Sequence, residues 1–130
     1  MIASLSGTLQ KIEDDALVIN VNGVGLRVYV TIGVINSVGR VGQPVDVFTS
    51  LIVREDSLTL YGFVTEDEKT LFELLKGVSG IGPRLALAVL NTLSPDMLAG
   101  AIQRDEPDVI SSVPGVGKKT SQKIVLELKG

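Results

Sequence analysis

Two short segments carry the residue types best suited to chemistry. Val78-Ser79-Gly80-Ile81-Gly82-Pro83-Arg84 aligns with Val113-Pro114-Gly115-Val116-Gly117-Lys118-Lys119, at an offset of 35 residues. Each copy follows a short predicted helix and opens a new one. A G-x-G step between helices has a direct physical use. The chain must turn sharply, and glycine tolerates positive φ. The absent Cβ also lets another backbone approach. The helix that follows begins with unsatisfied N–H groups. Those donors, with the helix dipole, make an anion site suited to a phosphate. Arg84, Lys118 and Lys119 stand at or just after the two helix starts, and Lys123 lies four residues beyond Lys119 on the same helical face. The apolar residue between the glycines, Ile81 or Val116, is expected to pack inward and hold the turn.

For a single copy, a helix C-cap followed by an ordinary tight turn explains the pattern equally well. Two copies in matching helical contexts favour the phosphate reading. A Walker A loop fits poorly. It requires G-x-x-x-x-G-K-[ST], whereas Lys119 occupies the Ser/Thr position and Ser112 the first glycine position. A second polar feature, Arg54-Glu55-Asp56-Ser57, joins two apolar strands. On sequence statistics alone it reads as a solvated hairpin turn.

Composition narrows the remaining chemistry. Among 130 residues there is no Cys and no His, which removes thiolate nucleophiles, imidazole bases and Cys- or His-based metal sites. No apolar run approaches a membrane span, and Met1–Leu5 do not read as a secretory signal, so a soluble, cytoplasmic protein is expected. The net charge of −3 disfavours bulk coating of nucleic acid. The charge is unevenly placed, however. Residues 110–130 carry four basic groups and one acidic group, whereas residues 65–109 carry four and eight. At a Debye length of about 8 Å, distant acids are screened and local bases act on a phosphate.

The elements that position these residues fall in two halves. From Ile2 to Phe63 the pattern is β-like. Leu17, Ile19 and Val21 alternate with Val18 and Asn20, and Leu26, Val28 and Val30 with Arg27 and Tyr29. Asn22-Gly23 between them predicts a tight hairpin. Val45, Val47, Thr49, Leu51 and Val53 form a further set after Pro44, and Leu58 and Leu60 another. The opening segment reads as a strand bent at Gly7. Thr31–Gly39 reads as one helical turn or a loop. Five strands in about 60 residues predict a closed five-stranded barrel of OB type, with an SH3-like barrel as rival. At Thr65 the period changes. Thr65 and Glu68 fit a capping box opening a helix that ends near Gly77. Pro83–Asn91, a helix opened by Ser94-Pro95-Asp96, Pro107–Ser112 and Lys118–Lys129 complete an all-helical half. The expected class is α+β in two domains, residues 1–64 and 65–130.

Taken together, the chain resembles the RuvA family of bacterial Holliday-junction-binding proteins. The resemblance rests on Met1-Ile2, Gly23-Val24-Gly25, Val53-Arg54-Glu55-Asp56-Ser57, Leu60-Tyr61-Gly62-Phe63, Thr70-Leu71-Phe72, Gly80–Ala86 and Pro114–Thr120. It implies an OB-fold domain followed by a double helix-hairpin-helix domain, with no cofactor. It implies a homotetramer, or an octamer of two tetramers, that holds four-way junction DNA open. Glu55 and Asp56 match the family's acidic pin, which would repel phosphates at the junction centre. Ser79, Gly80, Gly82 and Arg84 match the first DNA-gripping hairpin. Gly115, Gly117, Lys118, Lys119 and Thr120 match the second, with Lys123 beside it. Such phosphate contacts position DNA without reading its sequence. The implied partners are the hexameric ATPase RuvB, which drives branch migration, and the resolvase RuvC. Family members continue through a linker into a third helical domain that contacts RuvB. The sequence ends at Gly130, so the expectation is a truncated form or proteolytic core that keeps junction binding and loses stimulation of the motor.

Two other functions compete. A helix-hairpin-helix repair enzyme, glycosylase or nuclease, would need a catalytic Lys or Asp or a carboxylate metal cluster beside the hairpins. Asp105, Glu106 and Asp108 are interrupted by Pro107 and read better as loop charge. A protein-interaction adaptor would fail to bind branched DNA at low salt.

Overall fold

The computed structural model describes residues 1–129. The chain divides into two compact units, Met1–Lys69 and Thr70–Gly130.

The first unit is a closed barrel of five strands: β1 (Ser4–Ile12), β2 (Ala16–Val21), β3 (Val24–Tyr29), β4 (Pro44–Arg54) and β5 (Ser57–Phe63). The order around the barrel is β1-β2-β3-β5-β4, with β4 returning to β1. All neighbours are antiparallel except β3 and β5, which pair in parallel at Val28↔Leu60 and Tyr29↔Tyr61. That pairing replaces the simple meander of consecutive strands and bears out the OB-like barrel. Closure leaves no free edge along the barrel wall.

The alternating residues meet inside. Leu9, Leu17, Ile19, Val28, Val30, Val45, Val47 and Leu60 form one buried cluster with Val34. The predicted Asn22-Gly23 hairpin is present, with φ of 53° and 90°, and Asn20 Oδ1 accepts from Gly23 N–H at 2.9 Å. Positive φ at both turn residues matches the strand twist. Thr31–Gly39 resolves to a short helix, α1 (Ile32–Ser37), because the Thr31 hydroxyl caps it by accepting from Val34 N–H at 3.3 Å.

The bend expected at Gly7 takes a different form. β1 exchanges β4 for β2 as its partner at Thr8, and the register irregularity lies between Leu9 and Lys11. Gly7 matters for space: a Cβ there would collide with the Asn20 carbonyl oxygen and stand 2.9 Å from Ile19 Cγ2. At the other end of the strand, Arg27 donates to both Glu13 carboxylate oxygens, at 2.7 and 3.1 Å. These bonds hold the Glu13 carboxyl below its ordinary pKa.

The second unit is helical: α2 (Glu66–Lys76), α3 (Pro83–Thr92), α4 (Pro95–Gln103), α5 (Pro107–Ser111) and α6 (Lys118–Leu128). α2 opens while the chain is still within the first unit. Its expected capping box is half formed. Glu68 N–H donates to Thr65 Oγ1 at 3.2 Å, and the Glu68 carboxylate accepts from that hydroxyl at 3.1 Å rather than from the backbone. α5 packs on α6, and α4 lies against both. No single helix among the described residues is long and apolar enough to cross a membrane.

Candidate nucleic-acid interface

The internal repeat in the sequence is a repeat in structure. After α2, Ile81 N–H donates to Val78 C=O at 3.0 Å, and after α5, Val116 N–H donates to Val113 C=O at 3.0 Å. Gly80 has φ of 88° and Gly115 of 91°. Both are four-residue turns with positive φ at the third position, the type II pattern. A side chain at either glycine would strain the turn by about 1–2 kcal/mol. Pro114 suits the second position of such a turn, where Ser79 stands in the first copy. Ile81 and Val116 are each 5% exposed, so the residue between the glycines anchors the hairpin as expected.

The second glycine of each pair has a different basis. Gly82 and Gly117 are the N-caps of α3 and α6, with φ of −88° and −80°. Any residue adopts that backbone, and a Cβ at either position would meet no atom within 4 Å. The fold therefore does not require glycine at 82 or 117. Serine, the usual cap, is used in this same unit at α4, where Ser94 Oγ accepts from Met97 N–H at 3.2 Å. Neither Gly82 nor Gly117 supplies such a bond. The first helical bonds across these starts come from Ala86 N–H to Gly82 C=O and from Ser121 N–H to Gly117 C=O. The earlier donors, on Arg84 and Leu85 and on Lys118, Lys119 and Thr120, point out of the helix ends uncapped. Bare donors at a helix start with open space where a Cβ would stand suit an anion.

The two hairpins adjoin. Leu85 Cδ1, on α3, lies 3.3 Å from where a Cβ on Gly115 would stand. They differ in charge and donors. Pro83 removes one N–H at the start of α3, where Arg84 is the nearby cation. The second hairpin keeps that donor on Lys118 and adds Lys119 and, one turn on, Lys123. Arg84, Lys118, Lys119 and Lys123 are exposed, and none has a carboxylate within 4.0 Å among the described residues. Three acids of this unit are ion-paired elsewhere: Glu73 with Lys76, Glu106 with Arg104, and Asp105 with Lys129. Two members of the Asp105–Asp108 run are thus ion-paired at the surface. No group of three or more acidic side chains is placed to hold a metal among the described residues. Ser79 is exposed beside Gly80, and Thr120 is half-buried in the first turn of α6.

Glu55 and Asp56 belong to the first unit. They form the two-residue turn of the β4–β5 hairpin, between the paired Arg54 and Ser57. Both are exposed, and neither has an ion-pair partner among the described residues. Two members of the alternating apolar sets, Val53 and Leu58, are 61% and 72% exposed. Register explains this. β1 pairs with β4 over Pro44–Phe48, and β3 with β5 at Leu60–Tyr61. Beyond those points the hairpin continues as a two-stranded ribbon outside the barrel wall.

A small closed barrel followed by two matching Gly-x-Gly turns between helices defines a tandem helix-hairpin-helix protein. Comparison with known proteins carries this further. Residues 1–62 match the RuvA N-terminal domain, and residues 72–129 match a SAM-like helix-hairpin-helix tandem. The chain is 49% identical over its whole length to the Holliday junction branch migration complex subunit RuvA of Herpetosiphon aurantiacus, covering 66% of that protein. It is 50% identical over 99% of its length to the same subunit of Streptomyces coelicolor, covering 64%. It is 47% identical over its whole length to that of Chloroflexus aurantiacus, covering 67%. The chain belongs to the RuvA family, and it spans about two thirds of the length of these relatives.

Proposed function

We propose that this protein binds four-way junction DNA by shape and holds it open for branch migration, without catalysing a reaction on the DNA itself. The observation that carries this reading is the pair of Gly82 and Gly117 caps. Both leave helix donors bare and unshielded, although the fold needs glycine at neither position. Ser79, Gly80, Gly82 and Arg84 hold one backbone segment of an arm, and Gly115, Gly117, Lys118, Lys119, Thr120 and Lys123 hold another. Glu55 and Asp56 act as the pin, repelling phosphates at the crossover. Relatives carrying the name of a branch migration complex subunit support a place beside the RuvB motor, with that contact made through the family's third domain, and RuvC completes the partner set. The functional state is a homotetramer, singly or as a paired octamer, acting in the cytoplasm.

The salt dependence of binding tests the contact role. Lys119→Ala weakens binding to all DNA and lowers the slope of log K against log salt by about 1, the signature of one lost phosphate contact. Fluorescence anisotropy between low and moderate salt measures it. An unchanged slope removes Lys119 from the interface.

A further inference from the structure

Ser121 is the one buried polar side chain of the helical unit among the described residues. It stands in the first turn of α6, four residues after the Gly117 cap. Its Oγ donates to Lys118 C=O at 2.7 Å, the favoured length for such a bond. A carbonyl carries no proton, so the direction of the bond is fixed. The backbone does not need it, because helix geometry already brings Gln122 N–H to that carbonyl. Packing does not need it either. The 35-residue repeat sets Ala86 at the same point of α3, and Ala86 is equally buried. Alanine also has the better helix propensity and no hydroxyl to bury. Stability alone therefore favours alanine at position 121.

The bond has a use outside the helix. Lys118 C=O and Lys119 N–H belong to one planar peptide unit. Lys119 N–H is among the uncapped donors of this helix start. A hydrogen bond accepted by a peptide oxygen polarises the unit and makes its N–H a stronger donor. Resting on the reading of the Gly117 helix start as a phosphate site, we infer that Ser121 is a positioning residue, which strengthens Lys119 N–H toward the phosphate from inside the protein. Burial supports this role: the low dielectric strengthens the Ser121 bond, and no water competes for the hydroxyl. The bond lies wholly within one chain. Its effect is confined to the second hairpin. Ala86 has nothing to donate to Pro83 C=O, whose peptide unit carries Arg84 N–H, and Pro83 itself lacks an N–H. The second hairpin, with Lys118, Lys119 and Lys123 beside it, is thus the stronger of the two grips.

Two variants separate the hydroxyl from the space it fills. Ser121→Ala removes it, as Ala86 shows the fold allows. Ser121→Cys keeps the volume with a much weaker donor. Three quantities are read on the whole chain: the amide proton shift of Lys119 in the free protein by NMR, the melting temperature, and affinity for a four-way junction across a range of salt. In both variants Lys119 N–H is expected to move upfield, further than Lys118 and Thr120 N–H, which belong to other peptide units. The melting temperature holds or rises slightly. Affinity falls about twofold to threefold. No cation is lost, so the line of log K against log salt shifts in parallel, unlike that of Lys119→Ala. Wild-type affinity or an unmoved Lys119 amide in either variant overturns the inference. So does a loss that comes with a lower melting temperature or a shallower slope, which marks a purely structural role. If Gly117→Ser binds as wild type, the phosphate reading fails first, and this inference falls with it.

Discussion

Replacing Gly82 and Gly117 by serine is expected to leave the fold intact and to abolish tight DNA binding. Both positions have ordinary extended backbone and open space where the Cβ would go. Serine at an N-cap equals or exceeds glycine by a few tenths of a kcal/mol, so the melting temperature holds or rises slightly. The same serine spends the donors, because its Oγ accepts from the N–H groups that would meet the phosphate. It also puts a side chain where the DNA backbone must come close. Losing one charge-assisted site of this kind costs about 2 kcal/mol, or roughly 30-fold in affinity. With both hairpins changed and the effects additive, the loss approaches about 1000-fold. Thermal melting and anisotropy on the same samples measure the two halves of the prediction. Gly80→Ala and Gly115→Ala supply the contrast. Positive φ makes those changes destabilising, so melting temperature and binding fall together. If Gly117→Ser and Gly82→Ser bind as wild type, these helix starts do not hold phosphate.

Neutralising Glu55 and Asp56 is expected to act in the opposite direction. Glu55→Gln with Asp56→Asn removes two exposed charges without changing side-chain size. A carboxylate about 8 Å from a phosphate in water is repelled by about 0.5 kcal/mol, and salt reduces this further. Summed over the pairs at one crossover, the variant binds junction DNA as well as wild type or up to about tenfold more tightly. Linear duplex gains too, since repulsion no longer penalises a continuous backbone, and discrimination between the two narrows. Parallel titrations of junction and duplex read both quantities. Markedly weaker junction binding would show that the carboxylates attract rather than repel.

Much of this was legible in the sequence because the signals are local. Alternation placed the strands, Asn22-Gly23 the first hairpin, and Ser94-Pro95 and Pro83 the helix starts. The 35-residue repeat located both helix-hairpin-helix turns. What stayed hidden depends on distant partners. The parallel pairing of β3 with β5 follows from barrel closure, which no short window contains. Thr31–Gly39 could be decided only by whether the Thr31 hydroxyl reaches Val34 N–H. The two glycines of each hairpin look alike in sequence, yet Gly80 and Gly115 serve the turn while Gly82 and Gly117 serve nothing inside the protein. Val53 and Leu58 show the limit of periodicity most clearly. Alternation reports which face a side chain takes, and only the ends of the β1–β4 and β3–β5 pairings show that Val53 and Leu58 lie past the barrel wall.

The proposed recognition is of junction shape, since a net charge of −3 gives the protein no bulk attraction for DNA. Competition tests it most directly. A labelled four-way junction is bound at moderate salt, and unlabelled junction or linear duplex of equal length is added. Junction is predicted to displace the label at concentrations roughly a hundredfold lower than duplex. Equal displacement by the two would contradict the account.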